Sequence, residues 1–337
     1  MTFSTRRKKH ENHSRRIGGD NAPLEILKGA ADAHKEFGYD ILLTGDEGKI
    51  KACAQENNID ISSMEIYHTE DVIGMHDSPR SIASTHKNSS MAVGLQLLAE
   101  GKGDGFVTAG STGAYVVGAH RFVKEIPGIK HAGTGAVMPN DEGVFLMMDC
   151  GANLTCTPEV LNQFAIMGST YMEKVMGVKN PRVALANIGV EETKGTETLV
   201  EAYKLMSQQD YNFVGNIEIC DIPKGGADVV VCEGFTGNVI LKMYEGVAGV
   251  LLKNIKDIFK TSAKTKLGYL LISSNMKDFK NKMDYKKHGG APLMGISKPV
   301  AKAHGSSDAR AFKYAIKQVA DYADSGAIDI IAKAVSK

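Results

Sequence analysis

The chain contains no tryptophan, and aromatic residues make up only 7% of it. Its formal charge is also nearly balanced, at +1. Proteins that bind nucleic acids usually need a strongly basic surface, and single strands also need aromatic side chains on which bases stack. We therefore expect no nucleic-acid partner.

Cysteine is scarce and scattered. The five cysteines show no paired spacing typical of a metal site or a disulfide framework, and no histidine pair has metal-ligand spacing. We expect reduced thiols, as in cytosol, and no bound metal. Cys150 and Cys156 flank a glycine-containing loop, so a functional thiol stays open as an alternative to two small buried side chains.

Long apolar runs are missing too. A membrane-spanning helix needs about 20 apolar residues, and no segment approaches this length. The basic residues 1–16 are not followed by an apolar stretch, so they do not resemble a secretory signal. We expect a cytoplasmic protein with at most peripheral membrane contact, and a disordered basic tail over residues 1–16.

Three motifs common in α/β enzymes are absent. The chain has no phosphate-binding Gly-x-x-x-x-Gly-Lys loop, no Gly-x-Gly-x-x-Gly after a strand and no Gly-x-Ser-x-Gly elbow. These absences weigh against an ATPase, a dinucleotide-binding enzyme and an α/β-hydrolase. We expect no cofactor.

Apolar strands alternating with helices dominate the rest of the chain. Arg182–Asn187 and Asp228–Cys232 are short, nearly continuous apolar segments, which are typical of strands buried on both faces. Residues 17–337 are therefore predicted to form one α/β domain. Its sheet should be mostly parallel, with helices on both faces.

Glycine-containing loops follow many of these strands. Glycine allows the backbone to approach a ligand closely, and a helix start offers unpaired N–H groups to an anion. Six such loops in one chain predict a polar pocket for a phosphate-like group at the strand ends. They span residues 18–23, 109–113, 149–153, 187–195, 233–238 and 304–307.

Lys194 and Asn238 are the sharpest catalytic candidates. The ammonium of Lys194 could neutralise a phosphate or an oxyanion, or it could simply pair with Glu191 or Glu192 at the surface. Asn238 begins a long helical pattern, where its amide could donate to a carbonyl oxygen or merely cap the helix. The acidic Asp20, Asp149 and Glu233 could hold neighbouring loops through N–H groups. The candidate contacts for phosphate and substrate are Gly19, Asp20, Asn21, Ser89, Ser90, Ser111, Thr112, Gly113, Asp149, Gly151, Asn153, Asn187, Gly189, Glu192, Thr236, Gly237, His304, Gly305 and Ser306.

Residues 250–288 are predicted to form a helical hairpin. Lysines are interleaved there with leucine, isoleucine and phenylalanine, a pattern suited to an anionic interface. A dimer arm with a solvated basic face is the alternative. The candidate contacts with a membrane or an acidic carrier protein are Lys264, Lys266, Leu267, Leu270, Leu271 and Ile272.

An ordered set of motifs resembles a known family. It comprises Gly-Gly-Asp-Asn-Ala-Pro at 18–23, Lys-Asn-Ser-Ser-Met at 87–91, Ala-Gly-Ser-Thr-Gly-Ala at 109–114, Asp-Cys-Gly-Ala-Asn at 149–153, Asn-Ile-Gly-x-Glu-Glu-x-Lys-Gly at 187–195, Phe-Val-Gly-Asn-Ile-Glu at 213–218, Gly-Phe-Thr-Gly-Asn-Val at 234–239, Gly-Gly-Ala-Pro-Leu-x-Gly at 289–295 and His-Gly-Ser-Ser at 304–307. From about residue 17 onward, the chain resembles the acyl-acyl-carrier-protein:phosphate acyltransferases of bacterial phospholipid synthesis.

This resemblance implies a Rossmann-like three-layer α/β/α fold, similar to phosphotransacetylases and isopropylmalate dehydrogenases. It implies a homodimer that transfers a fatty acyl group from acyl carrier protein to inorganic phosphate. The acyl phosphate would feed the downstream membrane glycerol-3-phosphate acyltransferase, and the hairpin would associate peripherally with the membrane.

The chain departs from the family pattern in three places. The family usually has a short apolar strand before the first glycine motif, whereas residues 8–16 are polar, so we expect them to lie outside the sheet. Ile219-Cys220 replaces a more usual pair with arginine, and Ser111 and Glu233 replace a more usual Asn and Asp. Two other functions stay open: a phosphotransacetylase that uses coenzyme A, and a non-catalytic acyl- or carrier-binding protein.

Overall fold

The computed structural model describes residues 21–282 and 289–336, together with the backbone of His13–Arg15. Within these ranges the strands are β1 (His13–Arg15), β2 (Leu42–Gly45), β3 (Glu65–His68), β4 (Phe106–Thr108), β5 (Gly133–Asn140), β6 (Gly143–Met148), β7 (Val183–Asn187), β8 (Phe213–Glu218), β9 (Val229–Val231), β10 (Ala291–Met294) and β11 (Val300–Lys302). The helices are α1 (Leu24–Phe37), α2 (Glu47–Glu56), α3 (Ser90–Ala99), α4 (Thr112–Gly118), α5 (Pro158–Lys174), α6 (Glu197–Met206), α7 (Gly234–Lys260), α8 (Ala263–Leu271), α9 (Ser273–Lys282), α10 (Ala309–Asp324) and α11 (Ala327–Val335).

All the described strands belong to one sheet, in the order β3-β2-β1-β4-β11-β10-β5-β6-β9-β7-β8. Neighbouring strands are parallel except at the pairs β11–β10, β10–β5 and β5–β6. The predicted mostly parallel sheet is therefore confirmed. Three central antiparallel pairs join two parallel halves, which run in opposite directions.

Side chains of β6 show that both faces of the sheet are covered. Phe145 and Met147 enter one hydrophobic cluster, while Leu146 and Met148 enter another on the opposite face. All four are completely buried, and each stabilises the fold by about 1.5–3 kcal/mol relative to an exposed position. The helices that contribute to these clusters complete the predicted three layers.

The prediction that residues 1–16 lie outside the sheet is wrong for β1. The backbone of His13–Arg15 pairs in parallel with β2 on one side and with β4 on the other. A polar sequence does not prevent this pairing, because the ladder is made by backbone N–H and C=O groups. The other residues of the predicted tail lie outside the described part of the chain.

The two halves of the sheet bring their strand ends to one cleft. Lys302, the last residue of β11, pairs with Ala291 of β10. Leu293, only two residues further along β10, pairs with Thr134 of β5. Met148, the last residue of β6, pairs with the next residue of β5. The carboxyl ends of β11 and β6 are therefore close together, although the strands run in opposite directions.

The second half of α7, together with α8 and α9, forms an arm that extends from the body of the protein. Only Gly234, Gly237 and Ile240 of α7 are buried, and α8 and α9 have no buried residue. The Nζ of Lys282, at the end of α9, donates to the backbone oxygen and the carboxylate of Asp141 at 2.9 and 2.8 Å. The segment predicted as a helical hairpin is thus helical in three pieces over its described residues, and 283–288 lie outside them.

Candidate functional site

A cavity of about 210 Å³ lies in the cleft between the two halves of the sheet. It opens where β5 continues beyond Thr134, after its pairing with β10 has ended. The residues that line it are Thr112, Tyr115, Thr134, Ala136, Val137, Met138, Pro139, Cys150, Asn238, Leu241, Lys242, Tyr244, Glu245, Ala248, Gly289, Gly290, Ala291, Lys302 and His304. Most of this lining is apolar, with a few polar groups.

One wall of the cavity is a single face of α7. Asn238, Leu241, Glu245 and Ala248 recur at helical spacing along it, over a length of about 15 Å. The hydroxyl of Tyr244 donates to the carbonyl oxygen of Pro139 at 2.5 Å and fixes the helix to β5. The cavity is therefore elongated and bounded by rigid elements.

The Asp149–Asn153 loop holds the start of α7 in place. The buried carboxylate of Asp149 accepts hydrogen bonds from the backbone N–H groups of Thr134, Gly151, Ala152 and Asn153 at 2.7–3.1 Å. The side-chain amide of Asn153 adds a bond of 2.9 Å. Because these donors surround the carboxylate, Asp149 and Asn153 organise the loop, as the sequence suggested for Asp149.

Glu233 caps α7 from the other side. Its carboxylate accepts a bond from the N–H of Thr236 at 3.0 Å and another from the hydroxyl of the same residue. Gly237 packs against the carbonyl of Asp149, and Gly151 lies beside the side chain of Asn238. Two of the predicted glycine loops therefore meet directly.

Three of the predicted site residues reach the cavity lining. Thr112, Asn238 and His304 are all exposed and form its solvent-facing rim, whereas Thr134 and Tyr115 are buried deeper in the wall. Thr112, Asn238 and His304 come from the segments after β4, β9 and β11, respectively. Cys150, which also lines the cavity, belongs to the loop after β6. The structure thus brings four of the six glycine loops to one cavity.

Lys194 does not line this cavity. It is exposed on the loop after β7, where its backbone oxygen accepts a bond from the Asn187 amide at 3.0 Å. Gly189 packs against the side chains of Lys194 and Glu191, and Glu192 is exposed. Strands β6, β9 and β7 are parallel neighbours, so this loop shares a sheet edge with the start of α7. Lys194 is therefore near that edge but outside the cavity.

The remaining predicted contacts lie elsewhere or around the rim. Ser89 and Ser90 are buried at the start of α3, where Ser89 Oγ accepts a bond from the Ala92 N–H at 3.4 Å. Gly113 packs against the ring of Pro79, and the buried Ser111 precedes α4.

Two further predicted loops meet near the rim of the cavity. The amide of Asn21 donates to the backbone oxygen of Ser306 at 3.3 Å. In the sequence, Gly305 separates Ser306 from the rim residue His304. Gly19 and Asp20 lie outside the described residues.

Sequence reasoning did not single out the polar residues that line the interior of the cavity, and two of them are on its strands. The partly buried side chain of Lys302 enters it from β11, and burial, together with the nearby charge of Lys242, lowers the pKa of this lysine. Thr134 enters from β5, and its buried Oγ1 has no hydrogen-bond partner in the described part of the chain. Neither residue follows a glycine motif. Only the pairing of β10 with both strands brings them together.

The cysteines are poor nucleophile candidates. Burial and the nearby carboxylate of Asp149 raise the pKa of Cys150, and the same causes with Glu233 raise the pKa of Cys156 to about 12. A thiolate is therefore scarce near neutral pH. Among the described residues, Glu218, Cys220 and Asp221 could place three ligand atoms around a metal, but Asp221 already pairs with Lys224 at 2.5 Å.

The predicted interface residues are all at the surface of the arm. Leu267, Leu270, Leu271 and Ile272 are exposed, with 79% of Leu271 open to solvent, and Lys264 and Lys266 are exposed beside them. No helix in the described part of the chain is both long and apolar enough to cross a bilayer.

The fold is similar to that of solved phosphotransacetylases. A phosphotransacetylase from Streptococcus pyogenes superimposes with a TM-score of 0.66 over 95% of both chains, at 16% identity. EutD phosphotransacetylase from Staphylococcus aureus gives a TM-score of 0.64 over 94% of both chains, at 18% identity. The protein therefore has the three-layer α/β fold of these enzymes.

Sequence comparison identifies the family. Residues 15–329 match the family described as fatty acid synthesis protein, and the chain belongs to this family. A phosphate acyltransferase from Acetivibrio thermocellus is 45% identical over 316 residues, which cover 94% of this chain and 93% of that protein. Another from Clostridium novyi is 43% identical and covers 94% of this chain and 95% of that protein.

Proposed function

We propose that the protein is a phosphate acyltransferase that transfers a fatty acyl group from acyl carrier protein to inorganic phosphate. The observation that carries this proposal is the elongated apolar cavity with Asn238 at its rim. An acyl chain would lie along α7 and β5, and its thioester would lie near Asn238. The names of the relatives agree with this activity.

The reaction needs no nucleophile from the protein. An oxygen of phosphate attacks the thioester carbonyl carbon, and a tetrahedral oxyanion forms. The C–S bond then breaks and the carrier leaves as a thiolate, which takes up a proton. Holding the two reactants together can contribute about 7–11 kcal/mol in favourable cases. One well-placed hydrogen-bond donor to the oxyanion contributes about 3–4 kcal/mol.

We assign the oxyanion donor to the amide of Asn238 and propose that Lys194 neutralises charge at the outer edge of the site. The exposed position of Asn238 beside Gly151 leaves its amide open to a substrate. Lys194 is on the same sheet edge, and its loop would have to approach a bound reactant. The rim residues Thr112 and His304 would contact substrate as well.

The exposed arm supports the further proposal that the protein is a cytoplasmic enzyme that binds peripherally to membranes. Exposed leucines beside lysines on α8 suit an interface of anionic headgroups, and the acidic carrier protein would meet the same basic surface. Along α7, Phe235, Val239, Met243 and Val247 are also exposed, and a homodimer would cover such a face. The product would pass to a membrane acyltransferase for glycerol 3-phosphate.

The direct test is to trap the product. Purified protein is incubated with palmitoyl-acyl carrier protein and phosphate, and hydroxylamine converts any acyl phosphate into a hydroxamate. We expect hydroxamate that depends on phosphate and on enzyme. Palmitoyl-coenzyme A in place of the carrier substrate tests the phosphotransacetylase alternative. Retained acyl chains without hydroxamate would instead indicate a non-catalytic binding protein.

A further inference from the structure

We propose that Lys302 and Thr134 form the binding site for inorganic phosphate inside the cavity. This inference rests on the proposed function and specifies where one of its two reactants binds. Phosphate would then bind to the strands of the cavity wall, and not to the glycine loops at the rim that the sequence motifs favoured.

The charge balance of the cavity lining supports the assignment. Two lysines line the cavity, and Lys242 already bonds to Glu245 at 3.1 Å. Lys302 makes no ion pair or hydrogen bond through its ammonium with any residue that the structure describes. Burial disfavours its charged form and lowers its pKa, and an anion in the cavity would offset that cost.

Thr134 provides an independent indication of a ligand. Its residue is only 7% exposed, and its Oγ1 lacks a hydrogen-bond partner among the described residues. A buried hydroxyl without a partner is costly, so such groups usually bind water or a ligand. The next two lining residues on the same face of β5, Ala136 and Met138, are apolar and offer it no side-chain partner.

Strand register places both side chains on one face of the sheet. Lys302 is paired with Ala291 and Thr134 is paired with Leu293, and directly paired residues point to the same face. Ala291 and Leu293 are two residues apart, so they also share a face. Strands β11 and β5 lie on opposite sides of β10, roughly 10 Å apart. The two positions are also offset by two residues, about 7 Å, along the strand direction, so the extended side chain of Lys302 and a bound phosphate would together span the separation.

This position suits the chemistry. Phosphate held between Lys302 and Thr134 occupies the same cavity as the thioester expected near Asn238. Lys302 is paired on both sides, with Ala291 and Thr108. Thr134 is paired with Leu293, and its carbonyl oxygen accepts a bond from the N–H of Cys150 at 2.8 Å, so both residues are on well-anchored backbone. Lysine is a common phosphate ligand, and a threonine hydroxyl can donate to a phosphate oxygen.

The test compares Lys302→Met, Lys302→Arg and Thr134→Val with Lys298→Met. Lys298 is on the same β10–β11 hairpin but does not line the cavity. Steady-state assays measure KM for phosphate and for acyl-acyl carrier protein separately. We expect Lys302→Met to raise KM for phosphate at least tenfold while KM for the acyl donor stays within twofold. Thr134→Val should raise KM for phosphate about threefold or more. Lys302→Arg keeps the positive charge, so its KM for phosphate should lie between those of the wild type and Lys302→Met.

Binding without the acyl donor separates this inference from the proposed function. Phosphate should raise the melting temperature of the wild type and of Lys298→Met, and this increase should disappear in Lys302→Met. That result supports the site even if no acyl phosphate is formed. An unchanged KM for phosphate in Lys302→Met, or equal thermal shifts in Lys302→Met and wild type, would overturn the assignment. So would the lack of any shift in the wild type.

Discussion

The carbonyl oxygen of Asp149 lies against the α-carbon of Gly237, so closely that a Cβ at position 237 would overlap it. This contact joins the start of α7 to the loop after β6, and Asn238 is the next residue. Gly237→Ala should therefore destabilise the protein by about 1–3 kcal/mol and displace Asn238. Urea unfolding and turnover measure the two effects.

Gly249→Ala is the matched control on the same helix. A Cβ there meets no atom within 4 Å, so alanine should stabilise α7 by roughly 0.5–1 kcal/mol through its higher helix propensity. Equal stability of the two variants would show that the packing of α7 on Asp149 does not limit the fold.

Asn238→Ala should lower kcat more than about 100-fold, because it removes the proposed donor to the oxyanion. The fold should persist, since the Asn238 side chain is exposed and Glu233 supplies the cap of α7. Hydroxylamine trapping measures the rate, and Asn254→Ala, which removes the same amide from an exposed position of α7 outside the cavity, serves as control. Near-normal turnover in Asn238→Ala would remove this residue from the mechanism.

Lys194→Ala tests the second sequence-based candidate. If its loop approaches the reactants, kcat should likewise fall more than about 100-fold while the protein stays folded. Lys204→Ala on α6 is a control of the same type. A Lys194→Ala variant with wild-type kcat would leave Lys302 as the cation that acts on phosphate.

Arg182 couples the stability of the fold to pH. Its guanidinium donates to both carboxylate oxygens of Asp228, at 3.0 and 3.1 Å. Burial acts to raise the pKa of Asp228, but the bonds from Arg182 outweigh it and lower this pKa. Arg182→Met should cost about 1–2 kcal/mol at neutral pH, a range that allows for the partial exposure of the pair.

The sign of the pH effect follows from the lowered pKa. The stabilisation by Asp228 is complete above its unfolded pKa of about 3.9 and is lost as the pH falls through its folded pKa. The difference between wild type and Arg182→Met should therefore shrink below about pH 4. Urea unfolding at pH 7 and pH 3 measures it, and a gap of the same size at both values contradicts the coupling.

Membrane binding by the arm can be tested by flotation with vesicles that contain an anionic phospholipid. Changing Leu270, Leu271 and Ile272 together to serine should reduce binding at least tenfold, because three exposed apolar side chains are lost. Val214→Ser with Ile219→Ser, at exposed positions near the edge of the sheet, controls for general loss of apolar surface. Unchanged binding of the triple variant would contradict the membrane proposal.

Sequence patterns predicted the architecture well where the signal is local. Apolar strands such as β7 and the long helix α7 are visible in hydrophobicity and spacing alone. Strand β1 was missed because its pairing depends on backbone groups rather than on apolar side chains. Lys302 and Thr134 were missed because they are 168 positions apart in the sequence. They come together only because β10 pairs with both of their strands. The rim of the site could be predicted from glycine loops, but its interior could not.

Helix α7 is one uninterrupted element of 27 residues, about 40 Å long. Its first half bounds the cavity, and its second half belongs to the arm, whose far end is fastened to Asp141 through Lys282. One continuous helix therefore connects the cavity wall with the arm. Because the helix is continuous, a tilt of the arm would also move the wall against which the acyl chain is proposed to rest.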